Sequence, residues 1–184
     1  MLVKENTKRE IEEKLKTVGD YVKIDYLSSC LNKNLDFETR KFCLLTLSGL
    51  YERKGMLGDA AKLMSFAAEI NTTYQGKIDE YMKSAELFVK GGDFDQAEIS
   101  VGKAIACGTE NQKVAIKVKR KALFLAQARA YLKSDKRTHA MKAFEKLLMF
   151  DLTPEEKKEA QSALLVLYEK LGKIREFYSL KNNI

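Results

Sequence analysis

Proline is almost absent: Pro154 is the only one in 184 residues, and ten glycines are too few to punctuate a chain of short strands. Sandwiches and barrels need a turn signal about every 8 to 12 residues, so composition excludes them and leaves helix as the main element. Tryptophan is missing and histidine occurs once. The three cysteines, Cys30, Cys43 and Cys107, are odd in number, far apart and without CxxC spacing. That excludes a disulfide framework or a zinc site and makes each a small buried hydrophobe. No stretch reaches the roughly 18 to 20 uninterrupted apolar residues of a membrane span, and the start, Met-Leu-Val-Lys-Glu-Asn, lacks a basic segment followed by an apolar run. A soluble, cytoplasmic chain is expected, with no membrane span, no metal and no cofactor.

What is present is a globular balance of 45% apolar and 32% charged residues, in a length that suits one domain or a short array of repeats. Helical periodicity recurs from end to end and no strand-like alternation competes with it. Thr7 with Glu10 has capping-box spacing and starts a helix near residue 8. Further helices are expected near 20 to 32, 37 to 54, 57 to 71, 74 to 91, 94 to 107, 110 to 134, 137 to 150, 154 to 171 and 173 to 181. The clearest start is Thr153-Pro154-Glu155-Glu156: Thr caps, Pro takes the first position, which needs no amide, and Glu closes the box. Asp93 with Gln96 repeats the spacing.

The chain also repeats itself. An aromatic is followed four residues later by a small or turn residue, and five after that by alanine: Tyr51, Gly55, Ala60; Phe88, Gly92, Ala97; Tyr131, Asp135, Ala140. A fourth copy begins Tyr168, Gly172 and places Phe177 where alanine stood; the aromatics are 37, 43 and 37 residues apart. The aromatic fills the space between two antiparallel helices, the glycine permits the left-handed turn that closes the first, and the alanine lets the second pack closely. One such pair cannot bury its apolar face alone, so pairs stack.

With Leu44, Leu47, Ser48, Tyr51, Gly55, Ala60, Met64 and Ala67 in the first copy, the pattern resembles the tetratricopeptide repeat family. It continues through Tyr81, Ala85, Phe88, Gly92, Phe94, Ala97, Val101 and Ala104, then Phe124, Ala128, Tyr131, Ala140, Phe144 and Leu147. The resemblance covers residues 41 to 177, with departures: no tryptophan, and Ser84 and Gln127 in the place of Leu47. It implies an all-α, right-handed stack of antiparallel helix pairs, an α-solenoid of about ten helices. Residues 1–40 are expected to form N-terminal capping helices and 41–184 the repeats, as one continuous domain.

Catalysis needs convergent groups, and the sequence displays none, so no enzyme is expected. His139 stands beside Lys136 and Arg137 at a helix start, a solvated position. Gly91-Gly92-Asp93 lacks the Lys-Ser/Thr of a phosphate-binding loop and reads as a helix-ending turn. Glu10, Glu12, Glu13, Glu155 and Glu156 lie near helix starts, where they complement the positive helix end.

Charge is more informative. Between Lys113 and Lys146 stand eleven basic residues against Asp135 and Glu145, a net +9, while the rest of the chain is −2. Lys113, Lys117, Arg120 and Lys121 follow i, i+4, i+7, i+8 spacing and form a basic patch on one helix face. On the same helix Val114, Val118, Ala122, Leu125 and Leu132 form an apolar stripe with Arg129 as its one charged member.

The family register implies an inner, peptide-binding face at Phe42, Leu45, Gly49, Met82, Glu86, Val89, Leu125, Arg129 and Leu132. The positions at which a carboxylate-clamping subclass carries Lys and Asn hold Leu45, Met82, Leu125 and Gly49, Glu86, Arg129, so that mode is not expected. Arg129 is expected to pair with Glu86. The resulting expectation is an adaptor that binds an apolar or amphipathic peptide of a partner protein on Phe42, Leu45, Met82, Val89, Leu125 and Leu132. The alternatives are nucleic-acid binding through the basic segment, a homodimer burying the stripe, or coverage of these residues by the chain's own N-terminal helices.

Overall fold

The computed structural model describes residues 5–184. Among these residues there are ten α-helices and no strand: α1 (Lys8–Lys16), α2 (Asp20–Leu31), α3 (Phe37–Arg53), α4 (Leu57–Ile70), α5 (Tyr74–Gly91), α6 (Phe94–Cys107), α7 (Glu110–Lys133), α8 (Arg137–Leu147), α9 (Pro154–Lys170) and α10 (Ile174–Lys181). None of the described helices is long and apolar enough to cross a membrane. The expected caps form. Thr7 and Glu10 close a capping box on α1, Thr153 and Glu156 close another on α9, and the Asp93 carboxylate accepts the Gln96 amide at the start of α6.

The turns that join helix pairs share one geometry. In each, the amide five residues after the repeat aromatic donates to that aromatic's own carbonyl: Met56 to Tyr51 at 2.9 Å, Asp93 to Phe88 at 2.9 Å, Lys136 to Tyr131 at 2.9 Å and Lys173 to Tyr168 at 2.8 Å. Inside it a second bond runs from Gly55 to Glu52, Gly92 to Val89, Asp135 to Leu132 and Gly172 to Glu169. These are the two bonds of a Schellman closure, and they require a left-handed residue between them. Its φ is 75° at Gly55, 82° at Gly92, 52° at Asp135 and 67° at Gly172. Asp135, the one non-glycine there, holds Arg137 by a two-pronged ion pair. The second helix begins one residue beyond each closure, so Ala60, Ala97 and Ala140 all arrive at the same depth and are fully buried.

The chain divides into two compact units, residues up to Gln112 and Lys113–Ile184. In the first, successive helices pack on their sequence neighbours. Ile11 and Leu15 of α1 join Tyr26, Leu27 and Cys30 of α2 and Cys43, Leu47 and Leu50 of α3 in one buried cluster, with Phe42 and Tyr51 against it. A polar knot replaces the leucine missing at Ser84. Its hydroxyl donates to the Ala61 carbonyl at 2.8 Å and lies within hydrogen-bond reach of Ser65 and Ser100, tying α4, α5 and α6 together with no unsatisfied group. A second knot forms around buried Asn71, whose amide nitrogen donates to Glu80 while its oxygen accepts from the Thr73 amide and hydroxyl. Lys41 of α3 neutralises Glu80 at 2.9 Å. Gly76 makes room for this knot: a methyl group there would stand 2.2 Å from the Asn71 side-chain nitrogen.

In the second unit Phe124, Ala128 and Tyr131 of α7 are buried, as are Met141, Phe144 and Leu147 of α8 and Ala160, Leu164 and Leu167 of α9. Helix α8 stops at Leu147, three residues before the expected end, because the chain tightens into a turn that brings Phe150 edge-on to Phe124 at 5.1 Å. Helix α10 has no buried residue.

Three consequences are measurable by urea unfolding. Gly55 has open space around it and a left-handed φ, so Gly55→Ala costs about 1 kcal/mol from backbone strain alone. Gly102→Ala, in an equally open but ordinary helical position of α6, gains up to about 1 kcal/mol. Gly76→Ala displaces Asn71 and loses about 2 kcal/mol. In an Asn71→Ala background, where the obstruction is gone, the same change has little effect; an equal loss in both backgrounds rules out this account of Gly76.

Candidate docking face on helix α7

Helix α7 has a packed side and an adjoining exposed side, and they are filled in an unusual sense. The buried side carries Ile116, Phe124, Ala128 and Tyr131. By helical spacing Lys113 and Arg120 lie on this same side, not on the solvent side. Both are half-buried, and the Arg120 guanidinium sits 3.9 Å above the Phe150 ring. Lys121 donates to Glu156 at 2.7 Å. The expected basic patch of Lys113, Lys117, Arg120 and Lys121 therefore shares one side of α7 but is not a uniform open surface, and only Lys117 of the four is exposed.

The adjoining side of α7, turned by roughly 100°, carries the apolar stripe. Val114 is 63% exposed, Val118 59% and Leu132 41%, with Ala122 exposed between them. Leu125, at 9%, forms the floor. Burying a side chain of this size stabilises by roughly 1.5 to 3 kcal/mol when complete, so the row represents a substantial reserve of unspent hydrophobic free energy.

Helix α9 borders the stripe and is held in place by charge. The Glu156 carboxylate oxygen that closes the capping box by accepting the Thr153 amide at 2.9 Å also accepts Lys121, so one group starts α9 and fastens it to α7. Eight residues along α7, Arg129 grips Glu159 with two bonds of 2.7 Å. Lys121 and Arg129 hold Glu156 and Glu159 below the usual carboxylate range. The partner of Arg129 is Glu159, on the first helix of the following pair, where the sequence pointed to Glu86.

The face expected in the first unit is largely taken up. Phe42 packs on the N-terminal cluster with the Lys8 ammonium 5.7 Å from its ring, and Val89 is fully buried. Both serve packing in this structure. Leu45 remains 37% exposed and Met82 is half-buried. Beside them, charges bridge α3 and α5: Lys83 reaches Glu52 at 3.2 Å and Glu86 at 3.4 Å, and Lys90 pairs with the same two carboxylates. Burial pushes Glu86 up, but Lys90 and Lys83 outweigh it and hold the carboxyl below its ordinary value.

Val166 of α9 is 49% exposed and stands two positions before its repeat aromatic, the register of Arg129. No group of three or more His, Cys, Asp or Glu among the described residues is placed to hold a metal ion.

The depressed carboxyls fix a pH dependence. A carboxylate whose folded value is lowered adds stability that is full above its ordinary range and is lost as pH falls through the lowered value. Relative to Glu159→Gln, the wild type is expected to hold a small lead at neutral pH, below about 1 kcal/mol for so exposed a pair. That lead disappears on acidification, as read from urea midpoints at several pH values.

The chain matches no protein-family model, and no curated protein matches it.

Proposed function

We propose that this chain is a non-enzymatic adaptor, a right-handed tetratricopeptide-type stack capped by residues 1–40, that docks an apolar or amphipathic helix of a partner protein along α7. The observation that carries this reading is the row Val114, Val118, Ala122 and Leu132, exposed along one side of a single helix. Contiguous exposed apolar surface marks interaction sites in proteins that otherwise bury such residues. Leu45 and Met82 are secondary contacts in this reading, and Leu125 supports the floor. Function in helical repeats resides in a surface of this kind rather than in the scaffold.

Nucleic-acid binding draws on the charge of the second unit, which holds 17 basic against 8 acidic residues, net +9. Exposed aromatics suited to base stacking are absent from the α7 stripe, which favours the protein partner.

The test is co-purification from source extract with wild type, Val118→Glu and Leu45→Glu, at about 0.1 and 0.5 M salt, with and without nuclease. A protein retained at both salts, insensitive to nuclease and lost with Val118→Glu is the expected result. Retention that survives Val118→Glu but disappears with nuclease or high salt transfers the function to nucleic acid. A concentration-dependent dimer in sedimentation, abolished by Val118→Glu, makes the stripe a self-association surface.

A further inference from the structure

From the charges that edge the α7 stripe we infer the chemistry of its occupant: a partner helix with an apolar seam at 3–4 spacing, flanked by glutamate or aspartate. This rests on α7 being the docking face. At 3.6 residues per turn, Val118, Ala122, Leu125, Arg129 and Leu132 fall in one line of alternating four- and three-residue steps, the geometry of a helix-to-helix seam. Lys117 and Lys121 stand on one edge of that line and Lys119 and Lys133 on the other. Glu110, one turn before the stripe, is the only acidic residue in α7. Lys117, Lys119 and Lys133 are exposed and form no ion pair among the described residues.

The second unit already contains one helix of this type. Helix α9 places Glu156 on Lys121 and Glu159 on Arg129 while Ala160, Leu164 and Leu167 are buried. An acid-edged apolar helix is thus what α7 accepts within its own chain, and the lysines left unpaired ask for the same complement from outside. Val118 and Ala122 are short enough to allow close approach of a second helix over the first turns of the seam. The seam holds no tryptophan or phenylalanine to anchor it in a lipid surface. A second copy is disfavoured because it would bring two units of net +9 together.

Two synthetic helical peptides of about 20 residues, enough to span residues 114–132, decide the matter. They share one apolar 3–4 seam and differ only in flanking glutamate or lysine. Titrated into the full-length chain by fluorescence anisotropy at about 0.1 M salt, the glutamate peptide is expected to bind at least about tenfold more tightly, with the gap narrowing near 0.5 M. The exposed triple change Lys117→Glu, Lys119→Glu and Lys133→Glu, checked for helix content by circular dichroism, should reverse the preference, and Val118→Glu should remove both. If the peptides bind equally and both are lost with Val118→Glu, the docking face stands and the acidic partner is refuted. If neither binds, the face and the inference fall together. Tighter retention of a 20-nucleotide single strand or of phosphatidylserine vesicles than of the glutamate peptide also overturns the proposal, as does a dimer that Val118→Glu dissolves.

Discussion

The bond from the amide five residues on to the carbonyl of each repeat aromatic is the constraint on which the helix pairs depend. It fixes where the first helix stops, forces a left-handed residue into the turn, and sets the phase of the second helix. With that phase set, the alanine nine residues after the aromatic meets the preceding helix at full burial in three of the four copies. Displacing the closure by one residue would rotate the second helix by about 100° and carry its apolar face away from the core. Glycine meets the demand in three turns; at the third, Asp135 meets it with a short polar side chain that the left-handed region tolerates and that Arg137 anchors.

Within that frame α7 is filled against expectation. A helix ordinarily turns its apolar residues inward and its cations outward, yet Arg120 lies over an aromatic ring on the packed side while valines stand in solvent. Arginine tolerates this because its flat guanidinium stacks on Phe150 and its stem is apolar. The valines have no such compensation within the second unit. In the function proposed above, the arrangement is one half of an interface, and the surplus of positive charge around it lengthens the reach of an encounter.

Helix positions, caps and turns were legible in the sequence because each depends on residues within five of one another. Thr153-Pro154 and Gly92-Asp93 carry their own instructions. Contacts between residues thirty or more apart were not legible to the same degree. Register with the preceding pair points Arg129 to Glu86, but a register gives the row and not the neighbour, and the bonds of Arg129 go to Glu159. Phe42 and Val89 have the same inner-face spacing as Leu45, and spacing alone does not reveal that α1 and the α5 surroundings cover them. The early end of α8 depended on Phe150 finding Phe124, a packing event with no local signature.

The lack of a buried residue in α10 gives the second unit an internal gradient. Its first three helices share a core; the fourth is held by side chains that all retain solvent contact. Excursions of the native state are therefore cheapest at that end. Release of the last helix leaves in place the glutamate grips that hold α9 to α7, so the surface along α7 keeps its shape through that opening.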